Sequence, residues 1–182
     1  MHLQRRMLLH ITRREPAHDD AFTLLLACHG RISAFTALAQ RLGEEGAGPA
    51  AQLAEGGAAV ARYFQIGLPL HVEDEERSLA PRLLRADLGP DARRALVQMS
   101  EEHVRLDAAL EEAAPLWRAI AESPQRQPAL RRELARVGTI LAEGFAAHLQ
   151  AEEEVLFPAA RSALSADDLL ALAAEIKGRR AP

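Results

Sequence analysis

His71-Val72-Glu73-Asp74-Glu75-Glu76-Arg77-Ser78-Leu79-Ala80-Pro81 returns later in the chain as His148-Leu149-Gln150-Ala151-Glu152-Glu153-Glu154-Val155-Leu156-Phe157-Pro158, and both keep the pattern H-x-x-x-E-E-x-x-L-x-P. In an α-helix, residues four apart differ by about 40° in azimuth and about 6 Å in rise, so each histidine projects from the same face as its glutamate. Two such pairs facing each other supply nitrogen and carboxylate donors for two metal ions.

Working outward, the first copy sits in a helix expected from about Ala50 to Ala86, with Val60, Phe64, Leu68, His71, Glu75 and Leu79 on one face and Gly89-Pro90 closing it. Pro69 and Pro81 fall inside this span. Each removes a backbone donor and is expected to bend the helix or break it, with a kink the favoured outcome. The second copy sits in a helix expected from about Pro128 to Leu164, with Leu134, Val137, Leu141, Phe145, His148, Glu152 and Leu156 at helical spacing.

Two further amphipathic segments complete the pattern. One starts near Pro16 to Asp20 and stops at Gly43, carrying Leu25, Cys28, His29, Ile32, Phe35, Ala39 and Leu42 inward. The other begins at Pro90, carries Leu96, Met99, His103, Leu106 and Leu110, and ends around Ile120. Gly46-Ala47-Gly48-Pro49 and Ser123-Pro124-Gln125-Arg126-Gln127-Pro128 are linkers, and Ser165 caps a short fifth helix with Leu169, Leu170, Ala173 and Ile176. The expected fold is all-α: an up-down antiparallel four-helix bundle over residues 16–164, with an N-terminal arm at 1–15 and a C-terminal helix and tail at 165–182.

Composition agrees. The 182 residues suffice for one domain, and the 4% of aromatic residues in an Ala-, Leu-, Arg- and Glu-rich chain favour helix over a β-rich core. A formal charge of −4 without a basic run argues against nucleic acid as a partner. A single cysteine, Cys28, excludes an intrachain disulfide and Cys-rich metal sites, and suits a reducing, cytoplasmic setting. The run Met7-Leu8-Leu9-His10-Ile11 is too short and polar for a signal-peptide core, and no segment is expected to span a membrane. The chain is expected to be a monomer or homodimer.

The helical hairpins formed by the first two and last two long helices each supply one lone histidine, His29 or His103, and one His-x-x-x-Glu pair. With His29, His71, His103 and His148 terminal and Glu75 and Glu152 bridging, each ion has two nitrogens and two carboxylate oxygens. A solvent-derived oxo or hydroxo bridge makes five donors and leaves one octahedral position per ion, where dioxygen, nitric oxide or peroxide can bind. Two carboxylates against two divalent ions leave this set net positive, and without metal the buried carboxylates are expected to be protonated, hydrated or loosened.

Around this set, Glu76 and Glu153 lie about 100° further round their helices, as exposed residues or hydrogen-bond partners of ligands. Glu102 is either exposed or bonded to a ligand. Asp107, four residues after His103, could approach a metal or a ligand imidazole, or do neither. Glu73, Asp74 and Glu154 are expected in solvent, and so are His2, His10 and His18. Tyr63 and Cys28 are read as packing residues, and Phe35, Phe64, Phe145 and Phe157 as core residues that could also wall an apolar pocket.

On these residues the chain resembles the hemerythrin-like, or HHE cation-binding, family, from about His18 to Leu164. Leu68-Pro69-Leu70-His71-Val72-Glu73-Asp74-Glu75-Glu76 and the stretch from His148 to Pro158 carry the resemblance most specifically. It implies an up-down four-helix bundle with a non-haem, carboxylate-bridged di-iron centre on His29, His71, Glu75, His103, His148 and Glu152, zinc or manganese being possible substitutes. Oxygen-carrying hemerythrins have a fifth histidine four residues from another on the third helix. Here Met99 and Asp107 hold the places around His103, which argues against reversible oxygen carriage of that type. The ligand set is more similar to the hemerythrin domain of iron-sulfur-cluster repair proteins, although their cysteine-containing N-terminal domain has no counterpart in this sequence.

The functional expectation is a di-iron protein that binds or reacts with dioxygen, nitric oxide or peroxide in stress response, sensing or iron handling. The alternatives are a peroxide- or nitric-oxide-processing enzyme at the same centre and a helical interaction module that retains the metal site.

Overall fold

The computed structural model describes residues 20–181. The expected arm at 1–15, with His2 and His10, lies outside them, as does His18. Among the described residues there are five helices and no strand: α1 (Ala21–Leu42), α2 (50–83), α3 (Pro90–Glu122), α4 (127–163) and α5 (Ala166–Gly178). α1 packs on α2 and α4, and α3 packs on the same two, so the four long helices close a ring with sequence neighbours side by side.

The ends of these helices follow from their residues. Asp20 accepts the Thr23 backbone N–H at 2.9 Å, and Ser165 accepts that of Asp168 at 3.1 Å, so both satisfy donors that a helix start leaves unpaired. Gly89 precedes Pro90, whose missing N–H costs nothing in a first turn. The buried Gln127 carboxamide donates to the Leu42 and Glu44 carbonyls at 3.0 and 2.9 Å, finishing α1 from the start of α4. Gly57 lets α2 and α3 approach closely, since a Cβ there would lie 2.8 Å from the Trp117 carbonyl oxygen.

Of the bend or break expected at Pro69 and Pro81, with a kink favoured, the break does not occur. Helical structure runs through both, and through Pro115 in α3 and Pro158 in α4. Three wide π-type turns, Tyr63–Gly67, Asp74–Leu79 and Glu152–Leu156, stand just ahead of Pro69, Pro81 and Pro158. In each, the residue before the proline donates five residues back: Leu68 to Tyr63, Ala80 to Glu75 and Phe157 to Glu152. One extra residue in the turn accommodates the proline's missing donor without ending the helix.

Two apolar layers lie at opposite ends of the bundle. One gathers Ile32, Phe64, Trp117, Leu134, Leu141 and Phe145, and the other Phe22, Leu25, Leu83, Met99, Leu156 and Phe157. α5 adds Leu172 and Ile176 to the second layer, while Leu170 faces solvent. α1 is long and apolar enough by composition to cross a bilayer, which qualifies the expectation that no segment is. In the fold it turns Phe22, Leu25, Ile32 and Leu42 into the bundle and presents His29.

Candidate metal centre

His29, His71, His148, Glu75 and Glu152 are buried and His103 nearly so, between the two apolar layers. Their donor atoms form two overlapping groups: His29, His71, Glu75 and Glu152, and then Glu75, His103, His148 and Glu152, the atoms of each group lying within 4.8 Å of one another. Both glutamates belong to both groups. Glu75 Oε1 is 3.2 Å from His71 Nε2 and 3.9 Å from His29 Nε2, while its Oε2 is 3.3 Å from His103 Nε2. Glu152 turns Oε2 to His29 Nε2 at 3.3 Å and Oε1 to His148 Nε2 at 3.4 Å. Each carboxylate thus offers one oxygen to each histidine pair, the geometry expected of a bridge.

Both glutamates lie in the wide turns. With more residues per turn, consecutive side chains are separated by a smaller angle, so Glu75 and Glu76, or Glu152 and Glu153, reach the centre together. Glu76 bonds His103 Nδ1 at 2.8 Å and Glu153 bonds His29 Nδ1 at 2.7 Å. Each hairpin's second glutamate therefore orients the other hairpin's lone histidine, and Nε2 is left for the centre. Glu102 does the same for His148, whose Nδ1 lies 3.0 Å from its carboxylate. The repeated Glu-Glu doublet was the sequence signal for the first two of these contacts; for Glu102, expected to be either exposed or bonded to a ligand, the second of those alternatives is what the structure shows.

Three other residues fall out differently. Asp107 is exposed on the wall of a cavity and is not in either donor group. Tyr63 stacks on Phe35 with ring centroids 4.1 Å apart and is likewise outside the groups. Asp74, expected in solvent, is fully buried: Arg179 donates to it at 2.9 Å, Arg180 grips its other oxygen, and Arg179 also donates to Ser78 at 2.6 Å. The C-terminal pair Arg179-Arg180 supplies the charge that makes this burial tolerable, and it lies too far along the chain for helical periodicity to connect it with Asp74.

A metal fits this donor set. His29 Nε2, His103 Nε2, both nitrogens of His71 and all four carboxylate oxygens of Glu75 and Glu152 are buried with no hydrogen-bond partner among the described residues. Each such orphan costs about 1–3 kcal/mol, so the seven that converge on the centre, all but His71 Nδ1, require a cation or protons. Protons do part of this when no metal is bound. Burial and the neighbouring Glu75 charge push the Glu152 carboxyl up to about 8. Burial opposes ionisation of Glu75 too, but the imidazoles of His71, His103 and His29 outweigh it and hold that carboxyl below its ordinary value.

The histidines divide in the same way. Burial disfavours the charged form of His29 and His103, but contacts with Glu152 and Glu75 raise His29 to about 10, and contacts with Glu75 raise His103 to about 9. Burial prevails at His71, which falls to about 4, and also lowers His148. A metal held on these donors would therefore displace protons from Glu152, His29 and His103.

A comparison with curated protein sequences finds none that matches the chain. The model of the hemerythrin HHE cation-binding domain matches residues 20–160, and also 98–178, the second range starting in the helix that carries His103. With most of the bundle covered by the first match and a His/Glu centre able to hold cations at its middle, the chain belongs to the hemerythrin HHE cation-binding domain family.

Proposed function

We propose that this protein holds two iron ions on His29, His71, His103, His148, Glu75 and Glu152, and that it binds or reacts with dioxygen, nitric oxide or peroxide in stress response, sensing or iron handling. The observation that carries the reading is the division of each carboxylate, Glu75 and Glu152, between two histidine pairs. A single-ion site would need only one of these groups. Nitrogen-rich donor sets with bridging carboxylates suit iron, and zinc or manganese can substitute. When bound, a redox-active pair supplies electron exchange with a small oxidant.

The chain's own residues supply the rest. Glu76, Glu153 and Glu102 fix the imidazole rings and tautomers of His103, His29 and His148. The two apolar layers keep bulk water from the donors. A reducing compartment, to which a lone buried cysteine is suited, is the proposed setting.

Anaerobic reconstitution with ferrous iron, followed by metal analysis and optical spectra before and after air or peroxide, tests this reading. Two ions per chain and new near-ultraviolet charge-transfer bands are expected. Fewer than one ion per chain, or an unchanged spectrum, would overturn it. Steady-state loss of peroxide or nitric oxide, compared with uptake of one equivalent, then separates an enzyme from a binding or sensing protein.

A further inference from the structure

A cavity of about 390 Å³ adjoins the centre, and its wall includes the imidazoles of His71, His103 and His148. Most of the remaining wall is apolar, with Ile32, Phe64, Leu68, Leu106, Leu110 and Phe145 as its main surfaces. A diatomic gas or hydrogen peroxide needs little more room than a water molecule, whose share of liquid volume is about 30 Å³. Sites for small organic ligands begin near 300 Å³. The volume therefore matches an organic molecule.

The charges around it select for neutrality. Among the described residues, no Lys or Arg lines the cavity. Its two acidic wall residues differ: Glu73 is ion-paired with Arg77 at 3.3 Å and Arg179 at 3.7 Å, while Asp107 is exposed. Glu76, Glu102 and Glu153 surround Glu75 and Glu152, and Arg105 lies 3.7 Å from Glu102, so these carboxylates would roughly balance the four positive charges of two divalent ions. The net positive site expected from two carboxylates alone is thereby lost, and an organic anion gains no attraction.

We propose that this cavity is a binding site for an uncharged, mainly apolar organic molecule, its body against Phe64, Leu110 and Phe145 and its single polar end at the ligand imidazoles. Among the oxidants named above, such a cavity selects an organic hydroperoxide over hydrogen peroxide. The last step rests on the proposed reactivity of the centre and the charge balance on its two-ion reading; the size and apolar wall of the cavity rest on neither.

The test uses the full chain loaded with redox-silent zinc, titrated calorimetrically with cumyl alcohol as the neutral probe and benzoate as an anion of similar size. One cumyl alcohol per chain is expected, bound at least tenfold more tightly than benzoate. Leu110→Phe, which fills the cavity, should weaken cumyl alcohol at least tenfold. The exposed Asp107→Lys should narrow the gap between the probes without loss of fold. Absence of saturable cumyl alcohol binding, equal affinity for benzoate, or an unchanged affinity in folded Leu110→Phe overturns the inference. Zinc content of the same samples is read separately: fewer than two ions with intact alcohol binding sinks the two-metal reading and leaves the cavity assignment standing.

Discussion

The two copies of H-x-x-x-E-E-x-x-L-x-P bring the same kinds of donor atoms to the centre on different supports. In the second copy, the position before Glu152 is Ala151, and His148 is held from outside by Glu102 at 3.0 Å. In the first, the position before Glu75 is Asp74, tied through Arg179 and Arg180 to the end of α5, while His71 Nδ1 has no partner among the described residues. The residue before each lone histidine differs as well, Cys28 in one half and Glu102 in the other. The shared positions are those whose atoms converge on the centre. The differing ones fit each copy to its own neighbours, which the symmetry of the centre leaves free to vary.

The largest contrast should come from the bridging positions themselves. Glu75→Gln and Glu152→Gln are each expected to lower iron content from two ions to one or fewer per chain, read by metal analysis. Without metal, the two variants should part. Glu75 is the ionised carboxylate beside protonated His29 and His103, so its loss strands buried charge and should cost about 3 kcal/mol in denaturant melts. Glu152, raised to about 8, already carries a proton at neutral pH, so its amide should cost about 1 kcal/mol or less. Equal losses in the two metal-free variants would show that the halves are energetically equivalent.

Asp74 probes the difference one residue away. Asp74→Ala removes the acceptor of two guanidinium groups that retain some exposure and can partly resolvate, so a loss of about 2–3 kcal/mol is expected, toward the low end for a broken buried pair. Cleavage by a protease in α5 should quicken while iron content stays at two, because Asp74 donates nothing to either group. Loss of metal in the variant would mean that the α5 clamp positions Glu75.

How legible these features were in the sequence follows from the range over which each signal acts. Helical period placed Val60, Phe64, Leu68, His71, Glu75 and Leu79 on one inward face, and all are buried. The i to i+4 rule likewise aligned His148 with Glu152. Both signals lie within a few residues of one another. The clamp on Asp74 joins positions 105 residues apart, and a run of acidic residues reads as solvated until its partners are known. The prolines left bend and break both open for another reason. Their missing donor is a local fact, but the remedy, a widened turn that also brings Glu75 and Glu76 together, depends on the whole bundle favouring an unbroken helix.

Glu102 offers a smaller effect. Glu102→Ala releases the His148 ring and should weaken iron binding about 10–100-fold, most visibly in the ion bound by the second histidine pair. Cys28→Ala should leave both ions bound, since its thiol lies against the guanidinium of Arg31 at 3.0 Å and belongs to neither donor group. Equal weakening by both variants, measured by chelator competition, would mean that Cys28 supports the centre as much as Glu102 does.

The pH dependence of the metal-free protein is the mildest test and draws on both halves. His29 and His103 are raised from 6.5 to about 10 and about 9, so the stability they contribute is complete below pH 6.5 and is lost as pH rises through those values. Glu152, raised from 4.5 to about 8, also favours the folded state less as pH climbs across that interval. His71, lowered from 6.5 to about 4, acts in the opposite direction, but only between those two values. Below pH 6.5 the contributions offset one another; above it only the falling ones remain. The metal-free Tm should therefore decline from pH 6.5 toward 10, more gently in Glu152→Gln. Iron or zinc affinity should rise over the same interval as competing protons leave. A metal-free Tm that climbed with pH above 6.5 would mean that Glu152 is ionised and His29 neutral in the folded chain, reversing the proton assignment at the centre.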